Sequence, residues 1–94
     1  MGGDVVYEWD EGKRRANLAK HGLDFAEAHR LDWRFSVTRQ DEDSRGEMRF
    51  VSVVPLGEEL VSVAYTDRGD VVRLISMRPA ESFEIRQWKD EFYD

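Results

Sequence analysis

The spacing of apolar residues switches between strand and helix periods along this chain, and each switch marks an element. Val5-Val6-Tyr7-Glu8-Trp9 reads as a short strand. Asp10 then stands where an N-cap belongs, a helix is predicted to about Lys20, and Gly22 supplies its left-handed stop. The helix is imperfectly amphipathic, because Arg15 falls inside the arc of Ala16, Leu18 and Ala19. Asp24-Phe25-Ala26-Glu27 has the form of a capping box, with Leu23 and Ala28 as its hydrophobic staple. It opens a short second helix ending near Leu31 or Asp32.

A lead-in strand over residues 34–39 precedes three more. Residues 47–54 and 59–66 flank Pro55-Leu56-Gly57-Glu58, where proline presets a turn and glycine accepts positive φ. Residues 59–66 and 71–78 flank Asp67-Arg68-Gly69-Asp70, a second hairpin loop. The middle strand carries Val61, Val63 and Tyr65 on one face and Leu60, Ser62, Ala64 and Thr66 on the other, as a central strand should. Pro79 ends the last strand, and a third helix occupies roughly residues 80–92. Ile85, Trp88 and Phe92 fall within about 60° of one another on it, while Phe83 points elsewhere and is a candidate partner contact. The order is β-α-α-β-β-β-β-α: an α+β fold, two N-terminal helices and one C-terminal helix packed with a curved antiparallel sheet. With no repeat or linker, residues 1–94 are expected to form a single domain.

Composition narrows the class. The chain has no cysteine, which excludes a disulfide framework, a thiolate zinc site and a cysteine nucleophile. No signal segment or membrane-length apolar run is visible, so a soluble cytoplasmic protein is the default. The net charge of −6 argues against a nucleic-acid partner until its distribution is considered. Residues 1–40 are neutral, and Asp41, Glu42, Asp43, Asp90, Glu91 and Asp94 account for the whole excess. A locally positive cleft is compatible with that distribution.

Two groups of residues could carry chemistry. Lys13, Asn17, Lys20 and His21 lie within an arc of roughly 100° on an ideal helix, a stripe that suits a phosphate or a solvated face. His21 is a candidate general base, or a cap for the negative end of its helix. The second group ends the last strand. Arg73 and Arg78 are five apart and project to opposite faces of a regular strand, so one surface uses both only across a bulge. Arg78 is preferred, because an arginine before a helix can hold a phosphate together with the helix N–H groups. Glu84, in the first turns of that helix, can orient Arg78 or act as acid/base. Arg45, Glu47 and Arg49 share one side of their strand, a cation–carboxylate–cation row that cross-strand pairing would explain. Tyr7 and Trp9 are better placed as core than as base-stacking rings. His29 has no ligand spacing with His21, and neither a metal site nor a cofactor is expected.

The joint pattern resembles the BrnT family, toxins of bacterial type II toxin–antitoxin pairs. The resemblance runs from Tyr7-Glu8-Trp9-Asp10 through Lys13, Asn17, Lys20-His21-Gly22 and Phe25. It continues through Arg45-Gly46-Glu47-Met48-Arg49 to Arg73-Leu74-Ile75-Ser76, Arg78, Ala80 and Glu84. Pro79, Glu81, Ser82 and Phe83 depart from it, standing where the family tends to carry small and basic residues. The resemblance implies a RelE-like fold, metal-independent RNA cleavage that inhibits translation, and a BrnA-type antitoxin as partner, with DNA reached only through that antitoxin. Its site would use Arg78, Glu84 and His21 for catalysis and Lys13, Asn17, Lys20, Arg45 and Arg49 for RNA binding. The basic helix and Arg78 would then converge on one phosphate-sized pocket. The alternative is a weak or inactive interaction module acting only within an antitoxin complex.

Overall fold

The structure, a computed structural model, describes residues 5–42, 46 and 48–93. In chain order they form β1 (Val6–Glu8), α1 (Glu11–His21), two 3₁₀ segments (Phe25–Arg30 and Trp33–Phe35), β2 (Val37–Glu42), β3 (Met48–Leu56), β4 (Glu59–Arg68), β5 (Val71–Pro79) and α2 (Ser82–Phe92). The sheet order is β1-β5-β4-β3-β2. Strands β2 to β5 form the antiparallel meander expected from the turn signals. The fold is α+β around a curved sheet, with one correction. β1 runs parallel to β5, pairing Val6 with Val71 and Glu8 with Arg73, so the sheet is mixed at that edge. A strand this short carries no signal of its own direction.

The caps of α1 are those its sequence asks for. The Asp10 carboxylate accepts the Lys13 N–H at 3.0 Å. Gly22, at φ 73°, closes the other end by donating its N–H to the Leu18 carbonyl. The second predicted helix is instead a 3₁₀ segment, because Asp24 accepts the N–H of Ala26 at 2.9 Å. Glu27 turns to Arg30, and the capping box does not form. The winding suits the side chains: Phe25, Ala28 and Leu31 recur every three residues, so a three-residue turn buries them all. Arg34 and Phe35, expected to open a strand, instead lie in a second 3₁₀ turn, Trp33–Phe35, capped by Asp32.

One sheet face, beneath α1 and the first 3₁₀ segment, carries the main core. Val54, Val61, Val63, Tyr65, Leu74 and Met77 pack there with Phe25. Tyr7 and Trp9 line its rim: the Trp33 indole donates to the Tyr7 hydroxyl at 2.7 Å, and Trp9 meets Phe25 edge-on. The other face is covered in part by α2. Ser62, Val53 and Arg78 are neighbours across it, and Arg39, Val51, Ala64 and Ser76 form the adjacent row. Trp88 anchors α2 by donating its indole N–H to the Phe35 carbonyl at 2.7 Å. No helix among the described residues is long and apolar enough to cross a membrane.

The alternation of β5 breaks once. Ala64 pairs with Ser76 but Tyr65 pairs with Leu74, so Ile75 is an extra residue in a bulge. The slip restores Leu74 to the core face and brings Arg73 to the face of Ser76 and Arg78. The two arginines therefore share one surface.

Candidate functional site

That α2-facing surface gathers charge. By pairing and alternation it holds Arg39, Arg49, Arg68, Arg73 and Arg78 against Asp41 and Glu8, with Glu84 descending onto it from α2. Among the described residues the strands bring five guanidiniums to this surface, against the carboxylates of Glu8, Asp41 and the buried Glu84, in a chain whose net charge is −6. Its floor beside Arg78 is small: Ala64, Ser62 and Ser76. At the far end Glu8 pairs with Arg73 at 3.2 Å and with Arg68 at 3.8 Å.

Glu84 is the centre of the arrangement, and it is fully buried. One carboxylate oxygen accepts Arg78 Nη1 at 2.9 Å and the Glu81 backbone N–H at 2.9 Å. The other accepts Arg78 Nη2 at 3.1 Å, the Ser62 hydroxyl at 3.2 Å and Arg39 Nη1 at 3.3 Å. Burial pushes the Glu84 pKa up, but the Arg78 pair, the Glu81 N–H and the Ser62 hydroxyl outweigh it and hold the group below its ordinary value. An ionised carboxylate with both oxygens occupied is poorly placed to exchange a proton. The geometry shows Glu84 clamping the Arg78 guanidinium, one of the two arrangements that the sequence allowed for it. Arg78 itself is gripped in the two-pronged manner that fixes a guanidinium plane.

Asn17 leaves the RNA-binding set. It is buried, and its side-chain amide bonds the backbone of Met77 twice: Nδ2 donates to the carbonyl at 2.8 Å and Oδ1 accepts the N–H at 3.0 Å. A third bond reaches the Leu23 carbonyl. The amide completes the open edge of β5, where β1 has already ended. Asn17 therefore docks α1 on the strand one residue before Arg78. Lys13, Lys20 and His21 stand on the Asn17 side of α1, and both lysines are exposed. Among the described residues neither lysine forms an ion pair. Arg49 lies half-buried opposite Asp41, while Arg45 and Glu47 fall outside the described residues. His29 is exposed, and its Nδ1 lies 3.1 Å from the Ala26 carbonyl.

Arg39 was not singled out from sequence. Its partner is 45 positions away, and no local motif marks it. The usable signal was faint: one basic residue within a strand that otherwise reads as a solvated edge.

The chain belongs to the BrnT family, since residues 9–84 match the family described as the ribonuclease toxin, BrnT, of type II toxin–antitoxin systems. It is also similar to the Brucella abortus ribonuclease toxin BrnT, known from a 1.1 Å crystal structure. The identity is 30% and the TM-score 0.65, over 83% of this chain and 99% of that one. No curated protein sequence matches the chain.

Proposed function

We propose that this protein is a cytoplasmic toxin that cleaves RNA without a metal ion, inhibits translation, and is neutralised by a BrnA-type antitoxin. DNA is reached only through that antitoxin, and residues 1–94 act as one domain. The observation that carries the reading is Arg78, held by a buried carboxylate on a basic sheet face. Family membership supplies the reaction class.

In this reading the RNA 2′-hydroxyl attacks the adjacent phosphorus. The new O–P bond forms as the bond to the 5′-oxygen breaks, leaving a cyclic phosphate and a free 5′-hydroxyl. Arg78 stabilises the negative charge that builds on the phosphoryl oxygens. Glu84 positions Arg78, and His21 is the candidate for moving protons to and from the two oxygens. Lys13 and Lys20 hold the flanking backbone across the β5 edge as point charges, Arg49 adds a contact on the α2-facing surface, and Arg45, which lies outside the described residues, is a further RNA-binding candidate by its place in the sequence.

The test is end analysis of RNA cut by the purified protein in the presence of a chelator. Cyclic-phosphate and 5′-hydroxyl ends, undiminished by chelation, are expected. Ends bearing 3′-hydroxyl and 5′-phosphate, or activity lost with the metal, would overturn the mechanism. The net charge of −6 favours a second reading, the inactive interaction module. Expression alone separates them: growth arrest relieved by the antitoxin supports the toxin, and a stable complex without arrest supports the module.

A further inference from the structure

Arg78 and Glu84 together carry no net charge. A guanidinium neutralised by its own carboxylate attracts a phosphate weakly, however well it is oriented. Three of the five Arg78 N–H groups are also committed, two to Glu84 and one to the Pro79 carbonyl at 3.2 Å. Arg39 is different. It reaches the same Glu84 oxygen from β2 with a single bond at 3.3 Å, and its side chain is 46% exposed against 29% for Arg78. Four of its N–H groups have no partner among the described residues. Because both arginines approach one oxygen, their guanidiniums lie close enough for one phosphate to touch both.

We infer that Arg39 is a substrate-contacting residue of the proposed site, binding the RNA phosphate alongside Arg78 and supplying the net positive charge that the Arg78–Glu84 pair lacks. The inference rests on the RNA-cleavage reading and deepens it. Arg78 is the fixed donor, clamped by two bonds. Arg39 is the adaptable one, able to leave Glu84 for the ligand without baring a buried charge, since Arg78 and Ser62 remain on that carboxylate.

Binding of a 2′-O-methyl RNA oligonucleotide, which cannot be cleaved, tests this by fluorescence anisotropy across a salt series. Arg39→Gln should weaken binding about ten- to a hundredfold, as for a lost charged hydrogen bond. It should also flatten the log–log salt dependence by about 0.7, the increment of one phosphate contact to a single strand. Arg39→Lys should keep the slope and lose part of the affinity, and the folded-state stability of both should stay near wild type. Arg30→Gln, which removes an equal charge from the first 3₁₀ segment, on the opposite face of the sheet, should change neither quantity appreciably. Wild-type affinity and slope in Arg39→Gln would overturn the inference. Cleavage by Arg78→Ala, run in parallel, keeps the two claims apart. If that variant is inactive while Arg39→Gln binds normally, only Arg39 has been misassigned. Undiminished cleavage by Arg78→Ala would remove the catalytic reading itself.

Discussion

The side-chain amide of Asn17 stands where a further strand would otherwise be needed, offering β5 the donor and acceptor that its open edge lacks. Asn17→Ala would leave the Met77 N–H and carbonyl buried without partners. A loss of roughly 2–4 kcal/mol in urea unfolding is expected, with RNA affinity of the folded protein little changed. A stability loss below about 0.5 kcal/mol would mean that the amide bonds are not made in solution. The arginine–carboxylate clamp allows a sharper test. Arg78→Ala leaves the buried Glu84 with the single 3.3 Å bond of Arg39 as its remaining cationic contact, and a loss of about 2–4 kcal/mol at neutral pH is expected. Without Arg78 the buried carboxyl should titrate above its unfolded value. The deficit then shrinks as pH falls through that raised value, the reverse of the usual acid behaviour, because the protonated group tolerates burial. The Arg78–Glu84 pair was legible in sequence, since six residues across a strand-to-helix junction keep the partners together. Asn17 was not: an asparagine among lysines on an exposed-looking stripe reads as one more polar surface residue, and its partner is 60 positions away.

At the scale of elements, turns and helix ends were legible and geometry within strands was not. Gly22, Gly57 and Gly69 take positive φ where the pattern placed the helix stop and the two hairpins. The bulge at Ile75 left no trace, because Val71, Val72, Leu74, Ile75 and Met77 are apolar in both phases of the alternation. That one extra residue decides whether Arg73 faces the core or the basic surface, so the composition of the site could not be read until pairing was known. The 3₁₀ segment over Phe25–Arg30 was likewise hidden, since spacings of three fit both helix types. Helix α2 is held to the second 3₁₀ segment by the indole N–H of Trp88 on the Phe35 carbonyl and by the ring pair Phe35–Phe92. Trp88→Ala should destabilise by roughly 2–4 kcal/mol. It should also speed amide exchange through α2, because the helix that carries Glu84 loses its anchor. Unchanged exchange there would show that the Trp88 indole is not what keeps α2 in place.

For the molecule as a whole, charge works in two directions. In the proposed reading the bulk field opposes RNA encounter, and the arginines of the α2-facing surface are what hold RNA against it. The same carboxylates set the acid limit of the fold. Hydrogen bonds from Arg14 hold Glu11 down to about 2, and Asp24, Asp32 and Glu84 also titrate below their ordinary values. Groups depressed in the folded state contribute stability above their unfolded pKa and lose it as pH falls through the folded one. The denaturation midpoint should therefore be flat above about pH 5.5 and fall steadily from about pH 4.5 to 2. A midpoint that rises on acidification would contradict this picture of the ion pairs.

The account turns on Arg78 acting on the phosphate, with Glu84 acting only through Arg78. The most direct measurement is the single-turnover cleavage rate of Glu84→Gln beside that of the double variant Arg78→Ala/Glu84→Gln, both confirmed folded. The glutamine variant keeps the guanidinium near its place and should retain most of the rate. The double variant, relieved of the buried charge but lacking the cation, should fall a further 10²–10³-fold or so, the range for a lost oxyanion donor. Equal rates for the two would contradict the account.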